Sequence, residues 1–298
     1  ENKEGNTMKS NKFSRDKIFE LKDKVISLIP KSKTLKIVLG IVAFTLLIHL
    51  GHALTFDRMV QYKEIKFESQ NWPKELNGYR IAFVSDIHLA DEERLWRIRD
   101  HLNKKQTDLL LLGGDFFDYN RVLGKDLNIL SEVRTTDGIF GVEGNHDKAN
   151  ELVPAMEKIN ITPLVNKGRY VRNNFFLAGV EDLWNGNPDI QEATKGAHSE
   201  SFILLLSHNP DLSMKQDTQN IDLFLSGHTH GGQMNLFGFW SFGLDSRIIS
   251  DYGTRFKSGW AKSRDNTPVF VSNGIGSYYP RVFARPQVIV FNMYHKPQ

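Results

Sequence analysis

The chain has 298 residues, 40% of them hydrophobic and 24% charged, enough to bury one sizeable core or two small ones. Lysine and arginine total 38 against 35 acidic residues, and the resulting charge of +3 does not describe a polyanion binder, so no nucleic-acid partner is expected. With no cysteine, disulfides, thiolate metal sites and cysteine nucleophiles are excluded.

Residues Glu1 to Thr7 precede a methionine and read as a tag remnant. From Met8 to Lys36 there are nine basic residues against three acids, so the surplus of charge gathers at this end. Phe13, Ile18, Phe19, Leu21, Val25, Ile26 and Ile29 interleave with the lysines, a pattern that suits a basic amphipathic helix on an anionic membrane face and equally a solvated tail. Ile37 to Phe56 then runs for twenty residues without a formal charge, the length of a transmembrane helix. A cleaved signal peptide or a monotopic anchor is the alternative, although no small-x-small cleavage site is evident. The expected organisation is a tail over 1–36, an anchor over 37–56 and one catalytic domain over 57–298. Basic residues before the span favour a cytoplasmic amino end. Arg58, Lys63, Lys66, Lys74 and Arg80 beyond it reduce that asymmetry, and the side of the domain is left open.

Past Asn71 the texture changes to short apolar runs. Ile81 to Val84, Leu109 to Leu112, Ile139 to Val142, Phe175 to Val180, Phe202 to Leu206, Ile221 to Leu225, Val269 to Val271 and Val288 to Phe291 predict buried strands. Leu95, Ile98 and Leu102 mark one helix; Leu152, Met156 and Ile159 mark another, with Asn150 as its cap. Strands alternating with helices, then following one another closely, predict an α/β fold: a layered β-sandwich flanked by helices.

Five of these strands run straight into small and polar residues. The endings are Ser85-Asp86-Ile87-His88, Gly113-Gly114-Asp115, Gly144-Asn145-His146-Asp147, Ser207-His208-Asn209 and Ser226-Gly227-His228-Thr229-His230. Loops beyond the carboxyl ends of strands in an α/β sheet aim side chains into one crevice, so five such endings predict one site. Carboxylates, an amide oxygen and imidazoles without a thiolate suit Mn, Fe, Zn or Co better than Ca or Mg. The donors exceed what one ion takes, which points to two ions sharing a carboxylate, the arrangement that serves phosphoryl displacement. Taken singly, Asp86, Asp115 and Asp147 could each be helix caps.

In order, these five blocks resemble the motifs of the calcineurin-like metallophosphoesterases. Gly231-Gly232-Gln233 and the closing stretch from Ser277 to Pro286 are similar to a narrower branch of membrane-associated phosphodiesterases of the YaeI and YkuE type, which includes a UDP-2,3-diacylglucosamine pyrophosphatase of lipid A synthesis. The resemblance covers about residues 60 to 298. It implies that Asp86, His88 and His230 hold one metal, that Asn145, His208 and His228 hold the other, and that Asp115 bridges them. It implies further that His146 acts on the phosphoryl group and that Asp147 orients the His146 ring. Asp118 stands where purple acid phosphatases carry a tyrosine, which leaves a pair of divalent ions, Mn, Fe or Zn, rather than a ferric site. The expected activity is hydrolysis of a phosphodiester or pyrophosphate, on a phosphorylated or lipid-linked small molecule at a membrane. A protein serine/threonine phosphatase and a non-catalytic binding module on the same fold are the rival readings. His101, His198 and His295 fall outside the motifs and read as surface residues. Trp184 could wall the substrate or simply pack, and Arg281 and Arg285 could face a phosphate or plain solvent.

Overall fold

The computed structural model describes residues 24, 32–88, 90–117, 125–276 and 280–297. Apart from Lys24, the stretch from Phe13 to Ile29 lies outside these residues, as do Asp118 and Ser277, Tyr278 and Tyr279 of the closing motif.

The uncharged run forms one helix, α1 (Lys33–Leu54), of 22 residues. At about 1.5 Å per residue it is long enough to cross a hydrocarbon layer of about 30 Å. No residue of α1 is buried, and Ile37, Ile41, Phe44, Leu46 and Leu47 are exposed around it. A helix apolar on every face and left unburied by the described residues suits a nonpolar surrounding. The chain forms two compact units, Glu1–Ile48 and His49–Gln298.

Two six-stranded sheets, with a small two-stranded one, β10 (Asn235–Leu236) and β11 (Trp240–Ser241), form the described part of the second unit. The first sheet has the order β1 (Gln61–Ser69), β14 (Gln287–His295), β2 (Tyr79–Val84), β3 (Leu109–Leu112), β4 (Ile139–Gly141) and β5 (Ile161–Pro163). Strands β2 to β5 run parallel, while β14 lies antiparallel to β2 and parallel to β1. The second sheet has the order β12 (Gly259–Lys262), β13 (Pro268–Val271), β9 (Leu223–Ser226), β8 (Phe202–Leu206), β7 (Phe175–Gly179) and β6 (Lys167–Arg172). Its four central strands are parallel and its two edges antiparallel.

Alternate residues of each central strand serve different layers. Ile81, Phe83, Leu109, Leu111, Leu204 and Leu223 pack between the sheets. Ala82, Val84, Leu110 and Leu112 face the helices α2 (Glu92–Lys105) and α4 (Ala149–Lys158), where Leu95, Ile98, Leu102, Leu152 and Met156 meet them; between these two helices lies the short α3 (Lys125–Ser131). Both faces are dry, which is why these strands read as unbroken apolar runs. All eight predicted strands are present, within two residues at their starts. The edge strands β1, β6 and β12 were not predicted, because each alternates half-buried with exposed residues and carries charges, as in Lys63, Glu64, Lys66 and Glu68 of β1. Helix α2 is capped by Asp91, whose side chain accepts from the Arg94 N–H at 2.8 Å. Helix α4 begins one residue before Asn150, so the expected Asn150 cap is corrected to Lys148, which makes no side-chain capping bond.

At the amino ends of β7 and β8, far along the strands from the polar loops, Trp72 closes the core. Its ring centroid lies 5.0 Å from that of Phe175 and 4.9 Å from that of Phe202, and its Nε1 donates to the Leu76 carbonyl at 3.0 Å. Trp72→Ala should lower unfolding stability by about 3–5 kcal/mol in urea titration of the detergent-solubilised chain while leaving metal uptake per folded molecule unchanged. An unmoved midpoint would contradict this role for the ring.

Candidate metal centre

Because β2, β3, β4, β8 and β9 point the same way within their sheets, their carboxyl-terminal loops converge. One oxygen lies at the middle of the convergence: Asp115 Oδ2 is 3.0 Å from His88 Nε2 and 3.2 Å from His208 Nε2. On one side, ligand-type atoms of Asp86, His88, Asp115 and His230 all fall within 4.8 Å of one another. On the other, Asn145 Oδ1 lies 3.1 Å from His208 Nε2 and 2.8 Å from His228 Nδ1, and those two nitrogens are 3.3 Å apart. The seven residues expected as ligands are therefore brought together.

Backbone carbonyls set three of the imidazoles. His88 Nδ1 and His208 Nδ1 each lie 2.8 Å from a carbonyl, of Phe117 and Gly113, and His228 Nε2 lies 3.0 Å from that of Ile249. A carbonyl only accepts, so these nitrogens carry a proton, and the opposite nitrogen of each ring is the one that faces inward and is left for a ligand. Metal-bound histidines are held this way, and the hard oxygens among them complete a donor set that fits a divalent transition ion. His230 differs. Its Nδ1 faces the Arg281 guanidinium at 3.2 Å, and its Nε2 is 3.7 Å from Asp86 Oδ1. With a donor opposite Nδ1, the protein does not preset the tautomer that ligation through Nε2 would need.

Charge in the site divides the histidines into two pairs. Burial alone would raise Asp115, yet His208 and His88 hold its carboxyl well below the usual range. Burial and the positive His208 push His228 down to about 3, and burial with the Arg281 guanidinium holds His230 well below the ordinary imidazole value. Against the effect of burial, Asp115 in turn raises His208 well above, and His88 above, the ordinary imidazole value, so these two must give up a proton to bind metal, whereas His228 and His230 are already in the neutral form that binds it.

The backbone is bent to achieve the convergence. Asp86, Asp115, His228 and His230 have φ of 50°, 56°, 69° and 51°, a left-handed conformation costing on the order of 1–3 kcal/mol per residue. Gly144 is required because a Cβ there would stand 2.3 Å from Asp115 Oδ1, and at Gly227 one would stand 2.2 Å from Asp86 Oδ2.

Asp147 was expected to orient the His146 ring; instead both its oxygens bind backbone. Oδ2 accepts from Asp115 N and Gly144 N and Oδ1 from Phe116 N, each at 2.8 Å, with Phe117 N at 3.1 Å from Oδ1. The carboxylate thus staples the β3 loop to the β4 loop. His146 donates its backbone N–H to Asp115 Oδ1 at 2.8 Å, and its ring stands edge-on to His88, centroids 5.0 Å apart.

Several contributors were not foreseen. Strand β13 runs parallel to β9 and ends in Ser272-Asn273-Gly274, where a Cβ on Gly274 would stand 2.4 Å from Asp86 Cβ. An apolar residue followed by serine and a polar cluster is the pattern of Val84-Ser85-Asp86 and Leu206-Ser207-His208, and it was there to be read at Val271. Arg281 is fully buried rather than facing solvent; its Nη1 donates to the carbonyls of Asn273 (2.8 Å) and Ala284 (3.1 Å). Asp57 is buried as well, accepting from Phe283 N at 2.8 Å and Ala284 N at 3.1 Å and meeting His52 Nδ1 at 2.8 Å, so it ties the end of α1 to the loop that carries Arg281. Trp184 stands at the rim, half exposed, edge-on to His228 with centroids 4.5 Å apart, and Asn185 Nδ2 donates to the Asn145 carbonyl. Of the histidines read as surface residues, His198 is exposed, while His101 stacks on Tyr62 and His295 Nδ1 meets the Trp72 carbonyl.

The carboxylates and imidazoles that the two sheets deliver to one edge suit a metal-dependent phosphoester hydrolase. Residues 79 to 232, just over half of the chain, match the calcineurin-like phosphoesterase family, and the chain belongs to it. It is 27% identical to the uncharacterised metallophosphoesterase YkuE of Bacillus subtilis over 79% of this chain and 86% of that protein. It is 29% identical to the phosphodiesterase YaeI of Escherichia coli, over 72% and 82% respectively. A Helicobacter pylori metallophosphoesterase is 29% identical over 71% of this chain, which spans only 58% of that longer protein.

Asp147→Asn places an amide N–H against backbone donors and strands them, at about 1–3 kcal/mol each. The variant should unfold at clearly lower urea concentration than the parent; equal midpoints would return Asp147 to the role of orienting His146.

Proposed function

We propose that this chain is a membrane-anchored phosphodiesterase or pyrophosphatase that uses two divalent ions, Mn, Fe or Zn, on an amphiphilic, lipid-linked substrate. The observation that carries the reading is the single Asp115 oxygen lying 3.0 and 3.2 Å from the Nε2 atoms of two imidazoles whose Nδ1 atoms are held outward by backbone carbonyls. Bound there, two ions would supply a nucleophile near neutral pH and neutralise charge developing on the phosphoryl oxygens. Asp86, His88 and His230 would hold one ion, Asn145, His208 and His228 the other, and Asp115 would serve both. His146, on the wall of a cavity of about 470 Å³ beside His230, Met234, Phe242, Ile249 and Pro280, would bind the phosphoryl oxygens or pass a proton to the leaving group. That wall is mostly apolar, which supports a substrate with an apolar portion. Together with α1 as anchor it favours a lipid-linked phosphoester, of which UDP-2,3-diacylglucosamine is one example. The division into a tail over 1–36, an anchor over 37–56 and a phosphoesterase domain over 57–298 belongs to the same reading.

The test is turnover of bis-p-nitrophenyl phosphate, p-nitrophenyl phosphate and UDP-2,3-diacylglucosamine by protein stripped of metal and resupplied with single ions. Metal-dependent diester hydrolysis is expected, abolished in Asp115→Ala together with metal uptake. His146→Ala should keep its metal and lose on the order of 10²–10⁴ in rate. Turnover confined to phosphopeptides would instead indicate a protein phosphatase, and equal metal loss in both variants would overturn the division of roles.

A further inference from the structure

Beyond the metal centre the most unusual surface is the segment from Met234 to Ile249. It forms a small hairpin, β10 (Asn235–Leu236) paired with β11 (Trp240–Ser241), followed by a helical turn (Phe242–Asp245). Folding leaves its large apolar side chains outside: Phe239 is 84% exposed, Ile248 65% and Phe242 60%, with Leu236, Phe237 and Trp240 also exposed. Contiguous apolar surface of this kind on a folded unit marks a contact with a partner or a membrane. The hairpin is also held in position. Lys257 Nζ donates to the Gly238 carbonyl at 2.6 Å, Ser241 Oγ to the Gly232 carbonyl at 2.8 Å, and Asp245 accepts the Ser241 N–H at 2.7 Å. The aromatic tip is therefore presented outward by a fixed scaffold.

Its neighbour identifies the occupant. Phe237 donates its backbone N–H to His49 Nε2 at 3.1 Å and sets its ring against His49, centroids 4.6 Å apart; His49 also meets Phe283 at 5.2 Å. His49 belongs to the last turns of α1, the end at which, on the anchor reading, the chain leaves a bilayer. Aromatic side chains that continue from the end of a membrane helix suit the headgroup and upper acyl region. Within the segment Asp245 is the one acidic residue, and its carboxylate is engaged by Ser241; Arg247, exposed beside Ile248, matches an anionic headgroup.

We propose that the segment from Met234 to Ile249 is a second membrane contact, inserting Phe239, Trp240, Phe242 and Ile248 into the leaflet that α1 leaves. Met234 and Phe242 belong both to this surface and to the cavity that holds His146 and His230, so the contact opens the phosphoesterase site toward the lipid surface. The proposal rests on the anchor reading of α1 and not on the hydrolase reading.

The chain has no cysteine, so one introduced thiol is labelled without background. Full-length Phe239→Cys, Ile248→Cys, Leu46→Cys and Lys104→Cys would each carry a nitroxide in phospholipid nanodiscs holding one copy. Collision with oxygen, which concentrates in lipid, is compared with collision with a water-soluble nickel chelate. The expected result is an oxygen-to-nickel ratio at 239 and 248 severalfold above that at 104 and approaching that at 46. A ratio at 239 and 248 equal to that at 104 places the hairpin in water and overturns the proposal, whatever position 46 shows. Exclusion of both reagents at 239 and 248 indicates cover by protein and overturns it equally. Position 46 separately tests the anchor, and turnover of bis-p-nitrophenyl phosphate by the same samples separately tests the hydrolase.

Discussion

Asp115 is a buried carboxylate whose neighbours either contribute to its charge balance or prevent it from moving. Removing a carboxylate from water is unfavourable unless the charge is met by hydrogen bonds or by positive charge. Here one oxygen accepts the His146 N–H and the other faces His88 and His208. Four backbone N–H groups on Asp147 then hold the two flanking loops in register, and Gly144 allows the second loop to approach within contact of the carboxylate. The left-handed backbones of Asp86, Asp115, His228 and His230 are tolerable only because strands buried on both faces hold their ends firmly. Local strain in the loops is thus supported by the apolar interior of the two sheets.

This division explains which parts of the molecule were legible in the sequence. Strands with two dry faces announce themselves as apolar runs, and the change from Leu205-Leu206 to Ser207-His208 marks both a strand end and a site residue. Strands with one wet face, such as β1, do not, since Tyr62, Glu64, Lys66 and Glu68 alternate with half-buried residues. The ligand-type residues were legible because each follows such a run. Asp147 was legible as a member of the motif but not in its task, because sequence spacing does not tell a carboxylate facing a ring from one facing backbone N–H groups. Asp57 and Arg281 were less legible still. The partners of Asp57 at Phe283 and Ala284 are far away along the chain, and nothing local to either residue signals its burial.

The amino-terminal helix and the catalytic loops meet in a few polar contacts of the second unit. Asp57 binds the backbone of Phe283 and Ala284, Arg281 reaches from the same loop to His230, and His49 accepts from Phe237 at the hairpin. The end of α1 therefore shares a hydrogen-bonded frame with the tautomer-sensitive histidine of the site.

On the proposed reading one carboxylate oxygen of Asp115 serves two ions. Low-temperature electron paramagnetic resonance of the Mn-loaded protein tests it most directly. Two equivalents of Mn sharing Asp115 should give an exchange-coupled spectrum that collapses to an isolated six-line signal in Asp115→Asn. Saturation at one equivalent, or two equivalents that remain magnetically independent in the parent protein, would contradict the account.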